Sequence, residues 1–310
     1  MPSVSKGERR SAATPCEDEG LNSTDPTKGT RSWRPLLPSR LDAGALWGLG
    51  AALFLALEIV VALGAPLLTA YNPLAGDLDR RLLAPGSAGH ILGTDQLGRD
   101  LLARMVYGAR ISLIVGMVAV AVAGSVGVLA GLCMAFRGGW LDSLGSRVVD
   151  VQLSFPFMAL ALSIAAVLGA SLTGIVATLA ISSWVLYARL VRGETLIMKQ
   201  QEFVEAARTL GVPSWRILLR HVLPNVLGPA IALASLEAGR LIVAEASLSF
   251  LGYGIQPPIP AWGNMLAEGK NYMAKAWWLT VLPGVAISLT CLSTTVLGDW
   301  LTEVLDPRRR

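Results

Sequence analysis

Long apolar runs, broken by short charged segments, occupy most of the chain after residue 42. Residues 43–76 contain one charge, Glu58, and the runs 111–136 and 151–188 contain none. A membrane-spanning helix needs about 20 mostly apolar residues, so the run 151–188 is long enough for two, with a turn at 169–171. The pattern is weakest after 222, where a different count stays open. We predict six membrane helices, near 45–67, 111–136, 150–169, 172–190, 222–250 and 276–298.

Composition supports an all-α, polytopic membrane protein and excludes several other classes. Hydrophobic residues make up 53% of the 310 positions and charged residues 15%, against about 25% charged in soluble domains. The net charge is +4, but no Lys/Arg cluster is interleaved with aromatic side chains, so nucleic acid is not a predicted partner. Three scattered cysteines and two histidines predict no disulfide framework and no metal site. No catalytic residues are predicted.

Basic residues are concentrated in alternate loops, and this sets the predicted orientation. Lys and Arg are more frequent in 1–42 and 189–221 than in 69–110 and 247–275. Because positively charged loops stay in the cytoplasm, both termini are predicted to be cytoplasmic. The predicted organisation is a disordered cytoplasmic tail (1–42), a first membrane helix (43–68), an extracytoplasmic segment (69–110), a membrane core (111–303) with a cytoplasmic loop (191–221), and a cytoplasmic C-terminus (304–310).

A short amphipathic helix is predicted inside the charged loop, within QEFVEAARTLG (201–211). Its apolar positions fall at helical spacing on one face, at Phe203, Ala206, Ala207 and Leu210. Gly211 suits a left-handed C-terminal cap, and Pro213 prevents the helix from continuing. Such a helix either rests on lipid headgroups or docks into a protein groove. The adjacent alanines favour the groove, because they bury little area in a membrane.

The same segment resembles the EAA loop of ABC importer permeases. The motif positions are occupied by Glu205, Ala206, Ala207 and Gly211. The segment ends in an apolar-Leu-Pro sequence at 222–224, and His221 before it is usual in the peptide-transporter branch. The resemblance implies that these four motif residues belong to the coupling helix, which docks into a cleft of an ATPase subunit.

Three further segments resemble the second, C-type permease subunit of dipeptide, oligopeptide and nickel ABC importers. They are LGTDQLGRD (92–100), LSFLGYGIQPPIPAWG (248–263), and GDWL with LDPR near the C-terminus (298–301 and 305–308). Thr302 and Glu303 depart from a commoner Arg-Asp pair. The resemblance covers residues 45–310 and implies a type-1 ABC transmembrane core in the bacterial plasma (inner) membrane.

The resemblance also implies a function, as a permease subunit of an ATP-driven importer of di- or oligopeptides. The implied partners are a homologous second permease, two ATPase subunits, an extracytoplasmic solute-binding protein and membrane lipid. ATP and Mg²⁺ are expected on the ATPase subunits, because this sequence has no GxxxxGK[ST] phosphate loop. Nickel, glutathione or another small solute stay open as cargo. A secondary transporter, which needs no ATPase, is the alternative of another class.

The proline-rich stretch after the fifth predicted helix is a second candidate site. Its prolines and glycines do not suit a membrane helix, and irregular backbone in a bilayer is buried in protein or lines a water-filled cavity. Either the stretch is an ordinary outer loop, or it forms a re-entrant gate or a contact with the binding protein. The residues in question are Gln256, Pro257, Pro258 and Trp262. The resemblance favours the gate or contact.

Charged residues at apparent membrane depth form a third set. Glu237 and Arg240, at spacing i, i+3, either pair with each other or line the translocation path. Glu58 is expected at the rim of the bundle or at an interhelical contact, more than as a ligand of the substrate. Glu245, nearer the outer end, is expected in contact with water, and whether either residue lines the path stays open. The mixed charges of 69–110 predict a solvated face, with contact to a partner protein as the alternative.

Overall fold

The protein is predominantly helical in the part that the computed structural model describes, residues 43–87 and 89–305. The predicted disordered tail 1–42 and residues 306–310 of the predicted cytoplasmic C-terminus lie outside the described residues. No β-strand is formed within the described ranges. Their α-helices are α1 (Ala43–Leu63), α2 (Ala65–Leu68), α3 (Leu101–Arg137), α4 (Gly139–Leu153), α5 (Phe157–Leu168), α6 (Leu172–Met198), α7 (Glu202–Thr209), α8 (Ser214–Ile217), α9 (Leu223–Phe250), α10 (Trp262–Gly269) and α11 (Trp278–Leu305).

Five helical segments of the described chain are long and apolar enough to cross a membrane. They are Gly44–Leu63, Leu101–Arg137, Leu172–Lys199, Ser214–Phe250 and Trp278–Val304. The predicted helix at 150–169 is instead broken between α4 and α5, which meet at an angle of 95°. The pair adds a sixth span only if it crosses as one bent unit.

The break between α4 and α5 has a cause in the sequence. Pro156 lies directly before α5. Proline has no backbone N–H to donate to the preceding turn, and it disfavours the helical conformation at the residue before it, Phe155. The apolar pattern alone gives no sign of the break, because the residues on both sides of Pro156 are apolar. The predicted helix at 150–169 is therefore divided between the end of α4 and α5.

Helix α3 begins at Leu101, well before the predicted start at 111. The side chain of Asp100 caps it by accepting a hydrogen bond from the amide of Ala103 at 2.7 Å. With 37 residues, α3 is about 55 Å long at 1.5 Å per residue. That exceeds the roughly 30 Å thickness of a bilayer core. The first turns of α3 therefore belong to the segment that was predicted to lie outside the membrane.

Helices α3, α6 and α9 pack together at the centre of the bundle. Their buried side chains form a common cluster that includes Val115, Leu179 and Leu241. Small residues allow the backbones to approach closely. A Cβ atom on Gly131 of α3 would lie 2.6 Å from the carbonyl oxygen of Ala188 in α6. Such contacts between small residues are typical of helix packing in membranes.

The charge of the first membrane helix lies between helices. Helix α1 packs against α11, and Oε1 of Glu58 accepts a hydrogen bond from Oγ1 of Thr290 at 2.6 Å. Exposure of an acidic side chain to lipid costs about 2.5–3.5 kcal/mol, so a polar partner on a neighbouring helix is favourable. The expected interhelical contact of Glu58 is confirmed.

The fifth predicted helix is continuous over its whole length. Helix α8 leads through a π-helical turn, Leu218–Val222, directly into α9. Helix α9 passes both Glu237 and Arg240 before it ends at Phe250. The prediction that this helix continues through the two charges is therefore confirmed. Helix α9 connects the end of the bundle that carries α7, here called the inner end, with the opposite, outer end.

Candidate functional site

Helix α7 at the inner end is the amphipathic helix that the sequence predicted. Val204, which the sequence analysis did not single out, attaches α7 to the bundle, because it is fully buried in a cluster with Val191 and Ile217. On the predicted apolar face, Phe203 is 46% exposed and Leu210 is 82% exposed. The face that was predicted to dock is thus open, while the side of the helix that carries Val204 contacts the chain itself.

The motif residues of α7 lie on its accessible side. Glu205 and Ala206 are exposed. Ala207 is half-buried, because it packs against the cluster around Val204. A carboxylate and two small side chains next to exposed Phe203 leave room for another protein to approach the helix backbone. This arrangement is suited to insertion into a groove.

The predicted cap at Gly211 is confirmed by its backbone conformation. Its φ angle is +75°, and its N–H donates to the carbonyl oxygen of Arg208 at 2.9 Å. The next amide, of Val212, donates to the carbonyl oxygen of Ala207 at 3.1 Å. No heavy atom lies within 4 Å of the position that a Cβ atom would take. Glycine is therefore required for its conformation and not for space.

Side-chain contacts fix the inner ends of the helices beside α7. Arg192 of α6 makes two hydrogen bonds to the carboxylate of Asp142 in α4, at 2.6 and 2.8 Å. Lys199, which follows α6, donates to the carbonyl oxygens of Ala135 and Phe136 in α3, at 2.8 and 3.4 Å. The sequence does not reveal these contacts because the partners are far apart in the chain. They attach the segment before α7 to two other helices of the bundle, α3 and α4.

The proline-rich segment forms a loop, 251–261, between α9 and α10 at the outer end. Gln256, Pro257 and Pro258 are exposed, and the Gln256 amide donates to two carbonyl oxygens of the loop itself. Trp262 is buried, and its indole N–H donates to the carbonyl oxygen of Met105 in α3 at 3.0 Å. The four candidate residues therefore do not share one surface. Three are accessible, and Trp262 holds the end of the loop against α3.

Glu237 and Arg240 of α9 form an ion pair, with Nη2 of Arg240 at 2.6 Å from Oε2 of Glu237. The side chain of Glu237 is 7% exposed and that of Arg240 is 38% exposed. The guanidinium carbon of Arg240 also lies 4.2 Å from the ring centre of Phe157 in α5, which is a cation–π distance. The pair thus lies beside α5, with the arginine partly accessible from outside the chain.

Glu245 differs from the expectation that it contacts water. The residue is fully buried in α9. Its carboxylate accepts hydrogen bonds from the hydroxyl groups of Ser249 at 2.7 Å and Ser112 at 3.2 Å. The prediction is wrong because Ser112 comes from α3, which the apolar pattern of α9 does not reveal, and because Ser249 accepts in turn from the N–H of Ile255 in the loop 251–261.

The charges before and within the start of α3 are buried in a network. Asp95 accepts hydrogen bonds from Arg99 and Arg104, both at 2.6 Å. Glu268 of α10 accepts hydrogen bonds from the same arginines at 2.9 and 2.8 Å. Buried charges require such partners. The predicted solvated face of 69–110 is therefore wrong for Asp95, Arg99 and Arg104.

The network also changes the acidity of Glu268. Burial by itself would raise the pKa of this carboxyl group. The hydrogen bond and positive charge of Arg104, with smaller contributions from Gln96 and Arg99, outweigh burial and hold the pKa below its ordinary value. Glu268 is thus stabilised in its ionised form.

The fold and the inner surface define the class of protein, a polytopic membrane protein with the type-1 ABC permease fold. The chain is similar to a solved structure of the inward-facing MetNI methionine ABC transporter, with a TM-score of 0.56 over 66% of this chain and 98% of that chain. The identity is 18%, so this similarity concerns the fold alone. Within residues 43–87 and 89–305, no group of three or more His, Cys, Asp or Glu side chains could hold a metal ion.

The chain belongs to the family of binding-protein-dependent transport system inner membrane components, whose model matches residues 127–310. It is 40% identical to the probable D,D-dipeptide transport system permease protein DdpC of Escherichia coli, over 83% of this chain and 86% of the relative. It is 38% identical to the di/tripeptide transport system permease protein DppC of Pseudomonas aeruginosa, over 95% and 96%. It is 41% identical to the glutathione transport system permease protein GsiD of Pectobacterium atrosepticum, over 83% and 86%. The chain is thus a multi-pass inner-membrane permease of the ABC importer class.

Proposed function

We propose that this chain is the C-type permease subunit of an importer that moves di- or oligopeptides across the bacterial plasma membrane. The relatives named for D,D-dipeptide and di/tripeptide transport support a peptide cargo. Glutathione, which is itself a short peptide, is the second candidate, because relatives named for its transport are 41% and 43% identical. Both candidates share free carboxylates and amide groups, so the chemistry of the cargo is similar.

The chain acts with a homologous second permease, two ABC ATPase subunits and an extracytoplasmic solute-binding protein, all assembled in membrane lipid. ATP and Mg²⁺ bind to the ATPase subunits, and this chain is neither an enzyme nor a holder of cofactors. The missing phosphate-loop motif supports this division of labour. Both termini and the loop 191–221 face the cytoplasm, the segment 69–110 faces outward, and the core is 111–303.

The observation that carries the proposal is the open face of α7. Exposed Phe203 and Leu210, with small side chains between them, form an apolar face beside a charged loop, and such a face supports docking of a partner. Docking of an ATPase subunit covers this face through Glu205, Ala206, Ala207 and Gly211. When the ATPase subunits close on ATP, α7 moves, and the contacts of Val204 transmit that movement to α6 and to the start of α9.

The outer loop and the charged pair of α9 complete the proposed mechanism. Gln256, Pro257 and Pro258 contact the binding protein or gate the path, and Trp262 holds their loop in place. Glu237 and Arg240 line the translocation path. The accessibility of the first three residues and the partial exposure of Arg240 support these roles.

Co-purification tests the proposal. The full chain is solubilised in mild detergent as wild type, as the double variant Glu205→Lys with Gly211→Val, and as the control Gly193→Ala. Gly193 lies within α6 with open space around its Cβ position, so the control removes a glycine without strain. We expect wild type and control to recover an ATPase and a second permease, and the double variant to lose the ATPase alone. Recovery of wild type without partners contradicts the proposal and leads to a test of secondary transport.

A further inference from the structure

Glu245 is a buried carboxylate that the proposed docking and transport steps do not use. It lies in the last third of α9 with 0% exposure. Its partners are two hydroxyl groups, Ser249 on the same helix and Ser112 on α3. No Lys or Arg forms an ion pair with Glu245 among the described residues. A buried carboxyl group is costly unless hydrogen-bond partners compensate for its lost hydration.

The hydrogen bonds of Glu245 have a defined direction. The backbone N–H of Trp262 donates to Oγ of Ser112 at 3.4 Å, and the N–H of Ile255 donates to Oγ of Ser249 at 3.2 Å. Since each hydroxyl oxygen accepts a hydrogen bond from a backbone amide, its O–H group remains able to donate a hydrogen bond to the carboxyl group of Glu245. Two parallel chains of hydrogen bonds therefore lead from Glu245 to two backbone amides.

These two amides lie on either side of the exposed candidate gate residues. Ile255 lies within the loop 251–261, and Trp262 lies directly after it. Between them, Gln256, Pro257 and Pro258 are exposed. Close packing supports the same attachment, because a Cβ atom on Gly263 would lie 2.5 Å from Cα of Ala246 in α9. The exposed part of the loop is thus held at both ends.

The helix that carries Glu245 leads to the docking surface. The segment Ser214–Phe250 forms a single candidate span, and it starts after the cap of α7 at Gly211. At 1.5 Å per residue, this segment is about 55 Å long. Because the segment is one continuous helix, a movement of its inner end also displaces Glu245 near its outer end.

We propose that Glu245, through Ser112 and Ser249, is a positioning residue that fastens the outer loop to α9 and α3, so that the loop moves with these helices. The functional part of this inference rests on the proposed importer function, whereas the attachment itself does not. The carboxylate acts as the common acceptor for both ends of the loop. Removing one serine frees one end, and neutralising Glu245 weakens both.

Hydrogen–deuterium exchange on the detergent-solubilised full chain tests the attachment. The variants are Glu245→Gln, Ser112→Ala and Ser249→Ala, and overlapping peptides resolve the Ile255 end from the Trp262 end. The control is Ser182→Ala, because that buried hydroxyl donates to a carbonyl oxygen of its own helix, Thr178, at 2.8 Å.

The expected result is specific to each end of the loop. Ser112→Ala speeds exchange at Trp262, Ser249→Ala speeds it at Ile255, and Glu245→Gln speeds it at both by about fivefold, as loss of an ordinary hydrogen bond predicts. The control remains at the wild-type rate. Unchanged exchange at both ends, or equal acceleration throughout α3 and α9, overturns the inference. If Glu245→Gln does not fold, the two serine variants decide the outcome.

A second measurement addresses transport in the assembled complex in lipid nanodiscs. ATPase activity is titrated with the solute-binding protein. We expect Ser112→Ala to raise about fivefold the concentration of solute-binding protein that gives half-maximal stimulation of ATPase activity. The ATPase rate without binding protein stays the same. Equal stimulation of wild type and variant overturns the functional part. If the exchange result holds and wild type shows no stimulation at all, the attachment stands and the proposed importer function is contradicted.

Discussion

Replacing Leu210 by Ala separates docking from folding. Leu210 is 82% exposed, so few of its contacts are with the chain itself, and the variant should change the free energy of unfolding by less than about 0.5 kcal/mol. If an ATPase cleft covers Leu210, the truncation removes three carbon atoms from a buried contact. At about 0.8 kcal/mol per carbon group, the loss is about 2 kcal/mol of binding free energy. That corresponds to a roughly 30-fold weaker association with the ATPase subunit.

The matched control for Leu210→Ala is Val204→Ala, on the side of α7 that contacts the bundle. Val204 is fully buried in the cluster that attaches α7 to the bundle. Its truncation removes two methyl groups and leaves a small cavity, which costs about 2 kcal/mol of folding stability. We therefore expect Leu210→Ala to weaken ATPase binding without loss of stability, and Val204→Ala to lower the folding stability of the permease.

Two assays distinguish these patterns. The affinity of purified ATPase subunit for immobilised permease reports docking, and thermal unfolding of the permease alone reports stability. We expect Leu210→Ala to lose affinity at an unchanged unfolding temperature, and Val204→Ala to unfold at a lower temperature. Unchanged ATPase affinity in Leu210→Ala would refute the assignment of this face. A drop in unfolding temperature as large as that of Val204→Ala would refute the open orientation of α7.

Three further predictions concern the rest of the chain. The fold holds the pKa of Glu268 below its ordinary value of 4.5. The ion pairs of Glu268 should therefore stabilise the fold fully above pH 4.5, and this stabilisation should be lost as the pH falls through the lowered pKa of the folded state. Thermal unfolding should therefore show a stability deficit of Glu268→Gln at neutral pH that shrinks in acid. Arg240→Met should destabilise more than Glu237→Gln in the same assay, because it leaves the buried carboxylate of Glu237 without its cation; equal losses would contradict this. Gly131→Val should lower both the yield of protein extracted from membranes and its unfolding temperature, since its Cβ would approach the carbonyl oxygen of Ala188 to 2.6 Å. An unfolding temperature equal to that of wild type would contradict the close packing of α3 on α6.

Helix α7 shows which local features the sequence was able to predict. The left-handed cap at Gly211 and the stop at Pro213 depend on single residues, so their outcome follows from local chemistry. The side of α7 that contacts the bundle depends on Val204, whose neighbours come from α6 and α8. In a helix of two turns, one apolar residue is enough to decide the orientation, and periodicity does not show which residue finds a buried partner.

The pattern of apolar runs does not predict the surroundings of charged residues within or beside the membrane helices. Arg110 bounds the uncharged run and so set the predicted start at 111, whereas α3 begins earlier and includes Arg104, which is neutralised by Asp95 and Glu268. Glu245 sits inside a helix that was predicted correctly, yet its surroundings come from Ser112 and from the outer loop. In both cases the cost of burying a polar side chain is offset at least in part by groups from other elements, Asp95 and Glu268 for Arg104 and Ser112 for Glu245. Whether a charge ends a membrane helix, faces water or fastens two elements together is therefore decided by long-range contacts, and these are the positions where substitution reveals most about function.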